Sequence, residues 1–313
     1  MVAGTTTTVQ VDPEVNLYFD NILLDRHQPY YVYGYFAQER RIPQKNSKNA
    51  IFRRFDNLSD ALTPLTEGVT PNAEQVTKFD ITATVQQYGK VVELSDDVII
   101  TVQDQTSNEV ADMLAQNMAS TYDKIVRNML VATSAQIDCL NGVNGNAITE
   151  VTTTDLEIAV DYVTNNNGKK LSPNQEGTNA FGTAPVWASF WMVMSTELRT
   201  DFKNLSTFNP TADYPRQQSV LEAELGSCDE VRLVMTSEAY KDTSSPPVYS
   251  NLLFAANAYG RIMIDDQSME MIIKPLGAGQ DPLNQRQTMG WKGRLGSVIL
   301  DDSWCVNLRS TKG

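Results

Sequence analysis

Residues able to do chemistry are few in this chain, and their spacing serves it poorly. There is one histidine, His27, in a polar N-terminal stretch. A Ser–His–Asp relay needs an imidazole beside a nucleophile, and a transition-metal site needs several His or Cys ligands. One His sets up neither, and no nucleophile-elbow pattern is present. Cys139, Cys228 and Cys305 are scattered and odd in number, so they read as reduced, small buried hydrophobes. Gly277-x-Gly279 runs into Pro282 instead of completing a phosphate-cradling loop. Carboxylates offer more: Asp96–Asp97, Asp265–Asp266 and Asp301–Asp302. Paired carboxylates do acid/base work when they face each other across a substrate. Neighbours on a strand point to opposite faces, so these pairs read as caps. A pair brought together in space from distant positions stays open. No cofactor and no metal are expected.

Charge points to contacts instead. Lys and Arg number 25 against 38 Asp and Glu, a net charge of −13, and such a surface repels nucleic acid. Residues 39–54 invert this locally, with Arg40, Arg41, Lys45, Lys48, Arg53 and Arg54 against Glu39 alone. The inversion is either a solvated face or a contact with an acidic partner surface. On the second reading Arg40, Arg41, Arg53 and Arg54 are candidate interface residues.

The elements that must position these groups begin with a stretch from Thr106 to Leu140, free of Gly and Pro. Val110–Ala111, Leu114–Ala115, Met118–Ala119, Tyr122, Ile125–Val126 and Met129–Leu130 trace one helical face. Thr106 with Glu109 fits a capping box, and Asn141–Gly142 supplies a stop. No heptad holds for long, so a strut of roughly 50 Å is expected, not a coiled coil. Before it, residues 50–56 and 78–94 read as strands. Phe79, Ile81, Ala83 and Val85 alternate with polar residues. The turn formers between them, Pro64 and Glu67–Gly68 among them, make a long hairpin with an elaborated tip. A lone hairpin is marginal in water and its edges invite another chain. Lying on a neighbouring subunit would satisfy both demands, which adds Glu67 at the tip to the candidate interface residues.

At the N-terminus a Thr run leads to a short amphipathic helix over Glu14–Leu24 and an extended aromatic cluster, Tyr30, Tyr31, Tyr33, Tyr35 and Phe36. Beyond the strut come a short helix from Thr154 to Val163 capped by Thr153 or Thr154, a surface loop over 165–183, a buried strand from Trp187 to Met194, a short helix over 196–204 and a strand from Val231 to Thr236. The last third returns to strands: 252–256, 261–264, 269–273, 296–300 and 305–308. The layout is α+β. Met1–Thr8 carries no secretory signal, and the longest apolar patch, Val186–Met194, is far too short for a bilayer. A soluble protein made in a reducing cytoplasm is expected, without membrane partners.

Asp281–Pro282–Leu283–Asn284–Gln285–Arg286 followed by Gly290–Trp291–Lys292 closely resembles the closing signature of tailed-bacteriophage major capsid proteins related to the coat protein of coliphage N-four. Pro64–Leu65–Thr66–Glu67–Gly68–Val69 is similar to that family's hairpin tip, and 80–94, with Thr84–Val85–Gln86–Gln87–Tyr88–Gly89, to its returning strand. The resemblance covers nearly the whole chain. It implies a Hong Kong 97-like fold: an N-terminal arm (1–38), an extended hairpin loop with flanking strands (39–95), a peripheral domain with a spine helix (96–143), an axial domain (144–250) and peripheral closing strands (251–313). It further implies self-assembly into hexamers and pentamers of an icosahedral shell that encloses double-stranded DNA without sequence-specific binding. A portal protein, a separate scaffolding protein and a decoration protein are the partners it suggests. The place of work would be the virion, after assembly in the host bacterial cytoplasm. The rival expectations are an encapsulin-like compartment, and a hydrolase using paired carboxylates that forms a discrete soluble oligomer.

Overall fold

The computed structural model describes residues 31–313 apart from 46, 66, 69, 71, 102–105, 133–134, 172–187, 214–220, 265–268 and 278–282. The N-terminal helix, His27, Tyr30, Asp265–Asp266, Gly279, Asp281–Pro282, the Thr106 side chain and most of the 165–183 loop lie outside the described residues.

In chain order the elements are β1 (Gln38–Ile42), β2 (Asn49–Phe55), β3 (Lys78–Thr84), β4 (Gln86–Ser95), α1 (Asp96–Thr101), α2 (Thr106–Val131), β5 (Gln136–Asp138), α3 (Thr153–Asn165), β6 (Phe190–Ser195), α4 (Arg199–Lys203), β7 (Phe208–Pro210), β8 (Glu224–Cys228), β9 (Val231–Thr236), β10 (Tyr249–Phe254), β11 (Tyr259–Ile264), β12 (Met269–Lys274), β13 (Arg286–Ile299) and β14 (Cys305–Ser310). They form three sheets. One runs β1-β11-β13-β12, with β4 also on β13; a seven-stranded sheet runs β5-β14-β10-β6-β9-β8-β7; β2 and β3 form a pair by themselves.

The seven-stranded sheet is built on apolar runs. All six residues of β6 are buried, as are all six of β10, the pattern of strands covered on both faces. One face meets Leu156, Ala159 and Val163 of α3 and Phe202 of α4 in a first core. The other face, through Trp191, Val193, Leu252 and Phe254, meets α2 in a second core. Buried Asn251 ties two of its strands: its Nδ2 donates to Leu308 O at 3.2 Å and to Ser310 Oγ at 2.9 Å.

Helix α2 joins the two large sheets. Val110, Leu114, Tyr122, Val126 and Leu130 bury its apolar face in the core it shares with Met289, Trp291 and Leu295 of β13. Trp291 is seated by its own chemistry. Its indole N–H donates to Asn117 Oδ1 at 3.1 Å, and its ring lies 6.3 Å from that of Tyr122.

Several expectations are corrected. The helix has 26 residues, about 39 Å, and stops at Val131 instead of reaching Leu140. Beyond it Gln136–Asp138 pair in parallel with β14, where Arg309 Nη2 meets Asp138 Oδ2 at 2.8 Å; that ladder removes these residues from the helix. The strand read over 78–94 is two strands. The Val85 amide turns aside to Lys48 O at 2.9 Å, so β3 pairs β2 while β4 crosses to β13. The helix expected over 154–163 is α3, capped one residue earlier, at Thr152, in a capping box with Asp155. Between α4 and β8, the short β7 pairs antiparallel with β8. The closing strands of 251–313 divide: β11, β12 and β13 share one sheet, whereas β10 and β14 complete the seven-stranded one.

Trp291→Ala should cost about 3–5 kcal/mol, the usual loss for a buried tryptophan. Denaturant unfolding of the subunit reads this, and a loss below about 1 kcal/mol would remove Trp291 from the centre of the core.

Candidate functional site

Among the described residues, several groups suited to chemistry serve structure. Asp301 caps the turn at 302–304, accepting from the Ser303 amide at 3.0 Å. Asp96 Oδ1 accepts from the Asp97 amide at 3.0 Å at the start of α1. Cys139, Cys228 and Cys305 are free thiols and buried. Burial pushes the Cys228 thiol up to about 11 and Cys305 to about 12, far from a reactive thiolate. Among the described residues no group of three or more His, Cys, Asp or Glu gathers as a metal site, and no helix is long and apolar enough to cross a membrane.

The candidate interface arginines turn onto their own subunit. The Arg40 guanidinium lies 4.5 Å from the Phe52 ring centre. Arg41 Nε meets Glu39 Oε1 at 3.0 Å, and Glu39 also takes Arg261 at 3.0 Å. Hydrogen bonds from Arg261 and Arg41 hold the Glu39 carboxyl below its ordinary value. Arg53 Nε stands 3.6 Å from Asp80 Oδ1, which also takes Lys78 Nζ at 2.8 Å through Oδ2, and Arg54 pairs with Asp301. These contacts, with the Phe52, Ala83, Val85 and Ile262 cluster, fix the root of the β2–β3 hairpin. Glu67 is not part of this set: it is exposed in the tip turn.

The tip itself is the unusual surface. Residues 56–76 hold no helix or strand among those described. Phe55 is 62% exposed, Leu58 58%, Leu62 87%, Leu65 76%, Val76 62% and Phe79 48%. Between Phe55 and Thr77 the chain carries Asp56, Asp60, Glu67 and Glu74, and no Lys or Arg. Its two limbs are tied by the Ser59 amide to Glu74 Oε1 at 3.1 Å, and by the Ser59 hydroxyl to Oε2 at 2.8 Å. Those bonds hold the Glu74 carboxyl below its ordinary value. Sequence reading found the hairpin but missed this pairing of exposed leucines with acids. The run of four acids without a base was the available signal.

Residues 32–34 show a second device. The aromatic cluster, expected to be extended, is a turn, with the Tyr35 amide donating to Val32 O at 3.2 Å. The cause is Asp123 on α2, whose Oδ1 accepts from the Tyr33 amide at 2.9 Å, with the Val32 and Gly34 amides also directed at the carboxylate. Tyr259 adds a 2.6 Å bond to Tyr33 O. Phe36 sits between Trp191 and Phe254, with ring centres 5.1 and 5.0 Å away. This clamp holds the chain entering β1 against α2. Burial outweighs the donated amides and lifts the Asp123 carboxyl from 3.8 to about 6.

A family model described as phage capsid protein matches residues 78–308. No curated protein sequence matches the chain significantly. Among solved structures, the capsid of cyanophage P-SCSP1u superposes with a TM-score of 0.67 at 16% identity, covering 99% of this chain and 96% of that one. The capsid of Ralstonia phage GP4 gives 0.68 at 11%, covering 99% of both. The head of Helicobacter pylori bacteriophage KHP40 gives 0.65 at 11%, covering 100% of this chain and 99% of that one. These likenesses show the α+β fold of phage major capsid proteins, Hong Kong 97-like, in this chain.

A carboxyl raised on folding holds its proton more tightly in the folded state. Its favourable contribution is complete below pH 3.8 and is lost as pH rises through 6. Asp123→Asn removes that linkage. Relative to wild type, the variant's stability should climb between pH 4 and 6, by roughly 3 kcal/mol at most, and then level off. Denaturant titrations across that pH range measure the difference, and two parallel profiles would show that Asp123 is not the titrating clamp.

Proposed function

This chain belongs to the phage capsid protein family and is a structural protein of the phage head, and we propose that it builds the shell as hexamers and pentamers whose hairpins reach across neighbouring subunits. The observation that carries the reading is the outer end of the hairpin: six large apolar side chains, 48–87% exposed, on and beyond a pair of strands that joins no other sheet among the described residues. Exposed apolar patches of this kind mark interaction sites. Each such side chain contributes about 1.5–3 kcal/mol when fully buried. Burial of even half the set across each contact offsets a substantial part of the cost of ordering the tip and of association. Repeated around a capsomer, modest contacts of this kind sum to a stable shell.

The candidate residues then have two roles. Arg40, Arg41, Arg53 and Arg54 set the angle of the hairpin on its own subunit, whereas Glu67 belongs to the face offered to the neighbour. Reversing Arg53 and Arg54 therefore tests anchoring, not a contact with another subunit. In this arrangement 1–38 is the arm, 39–95 the hairpin loop and its flanking strands, and α2 the spine of the peripheral domain. The axial domain is the seven-stranded sheet around 144–250, completed by β5, β10 and β14. The protein is read as non-enzymatic and located in the virion, with assembly in the host cytoplasm. Portal, scaffolding and decoration proteins are its further partners. The net charge of −13 suits a wall that encloses DNA without gripping it.

Expression of the full chain, followed by electron microscopy and sedimentation, should show closed shells, sheets or isolated capsomers. Replacement of 57–76 by a two-residue Asn-Gly turn should leave a folded subunit that forms none of them. A wild-type chain that stays monomeric or dimeric even with its scaffolding partner co-expressed would refute the reading, as would normal shells from the shortened hairpin.

A further inference from the structure

Asparagine followed by glycine occurs three times: Asn141–Gly142, Asn144–Gly145 and Asn167–Gly168. Such a pair has a chemistry of its own. The glycine amide nitrogen can attack the asparagine carboxamide carbon, because glycine has no side chain to block the approach. The step needs an amide free of any other acceptor, room for the chain to turn, and a carboxamide lying over that amide. The fold grants these conditions unequally.

Two of the pairs are withheld from the reaction. The Gly142 amide donates to Thr149 Oγ1 at 2.9 Å, and Asn141 Nδ2 is drawn to Asp155 Oδ1 at 2.8 Å. Space is short there too, since a Cβ at Gly142 would lie 2.6 Å from the Glu150 carboxyl carbon. The Gly168 amide donates to Val163 O at 2.9 Å in the turn that ends α3, and a Cβ at Gly168 would clash with Val163.

Asn144–Gly145 meets all three conditions. Among the described residues the Gly145 amide has no acceptor. Gly145 is exposed, and nothing lies within 4 Å of where its Cβ would be. Asn144 Oδ1 accepts from the Asn146 amide at 3.2 Å, which folds the carboxamide back over the Gly145 peptide. The same bond places a donor on the oxygen where negative charge gathers as the nitrogen attacks.

We propose that Asn144 is the site at which this chain modifies itself, turning to aspartate and isoaspartate while Asn141 and Asn167 persist, and that the change releases the end of β14. A C–N bond forms between the Gly145 nitrogen and Asn144 Cγ. The side-chain nitrogen leaves as ammonia with the proton that the amide gives up. Water then opens the cyclic imide at either carbonyl, and one of the two products carries the former Cβ in the main chain. The C-terminus depends on the lost group. Asn144 Nδ2 donates to Thr311 Oγ1 at 2.8 Å, and that hydroxyl donates onward to Ile148 O at 2.9 Å. A carboxylate at position 144 would therefore face an oxygen whose hydrogen is already engaged. Glu150, whose Oε2 accepts from the Asn144 amide at 3.0 Å, adds a like charge beside it.

Prolonged incubation of the full chain in mildly alkaline buffer tests this, read by peptide mass spectrometry that separates the two linkages. In the folded protein, conversion at Asn144 should run at least tenfold faster than at Asn141 or Asn167. In a chemically denatured control the three should convert at comparable rates. Asn144→Asp, which imitates one product, should speed hydrogen exchange at the Thr311 amide, which donates to Thr149 O at 3.0 Å, at least threefold over wild type. Folded protein in which Asn141 or Asn167 converts as fast as Asn144 would overturn the assignment. So would an Asn144 that stays intact while the denatured control converts. Unchanged exchange in Asn144→Asp would overturn the release of β14.

Discussion

The placement of β13 is the constraint on which the rest depends. This strand of 14 residues holds β4 along one edge and β11 and β12 along the other. Its buried face carries Met289, Trp291 and Leu295 into the core with α2. Its opposite face carries Gly290 between Val91 and Ile272. One strand thus fixes the helix and, through β4, the path by which the chain leaves the hairpin. A shift by one residue would exchange its two faces and take Trp291 out of the core. The indole hydrogen bond to Asn117 opposes that shift by giving Trp291 a partner it would lose.

From this frame the hairpin behaves as a lever, rigid at the root and open at the tip. Phe52 is 5% exposed, Ala83 2% and Val85 5%, packed with Ile262 beneath β11. Arg54 reaches Asp301, beyond the far end of β13. The ion pairs are at the surface, where single pairs contribute little; their value lies in orientation. Beyond this root the apolar residues face solvent. Local stability follows contact density, so the tip of the isolated subunit belongs to the least protected part of the fold.

Much of this was legible in the sequence, for physical reasons particular to each element. Strands β6 and β9 declared themselves because central strands buried on both faces become continuous apolar runs. The α2 pattern of pairs four apart gave the strut, but not its end. What stops it is the ladder to β14, a partner more than 160 residues later. The first half of β13 was invisible as a strand, because Gly290 and Gly293 depress strand propensity. The structure supplies the reason at Gly290: a Cβ there would sit 2.9 Å from Lys90 O, where the neighbouring backbone passes too closely for a side chain. The break at Val85 was hidden because alternation continues through it while the partner strand changes. Charge pattern alone did not show that Asp80 and Asp301 of the same subunit lie within reach of Arg53 and Arg54. Asp123 gave no signal, being one acid among several on the polar face of a helix.

The central claim is that the hairpin tip is completed by another subunit. Amide hydrogen exchange, followed by mass spectrometry on free subunits and on assembled particles, tests it most directly. The account predicts that peptides from 56–77 exchange freely in the subunit and become protected at least tenfold in the particle, while peptides from α2 and β13 are protected in both. Tip peptides that exchange as fast in intact particles as in free subunits would contradict it.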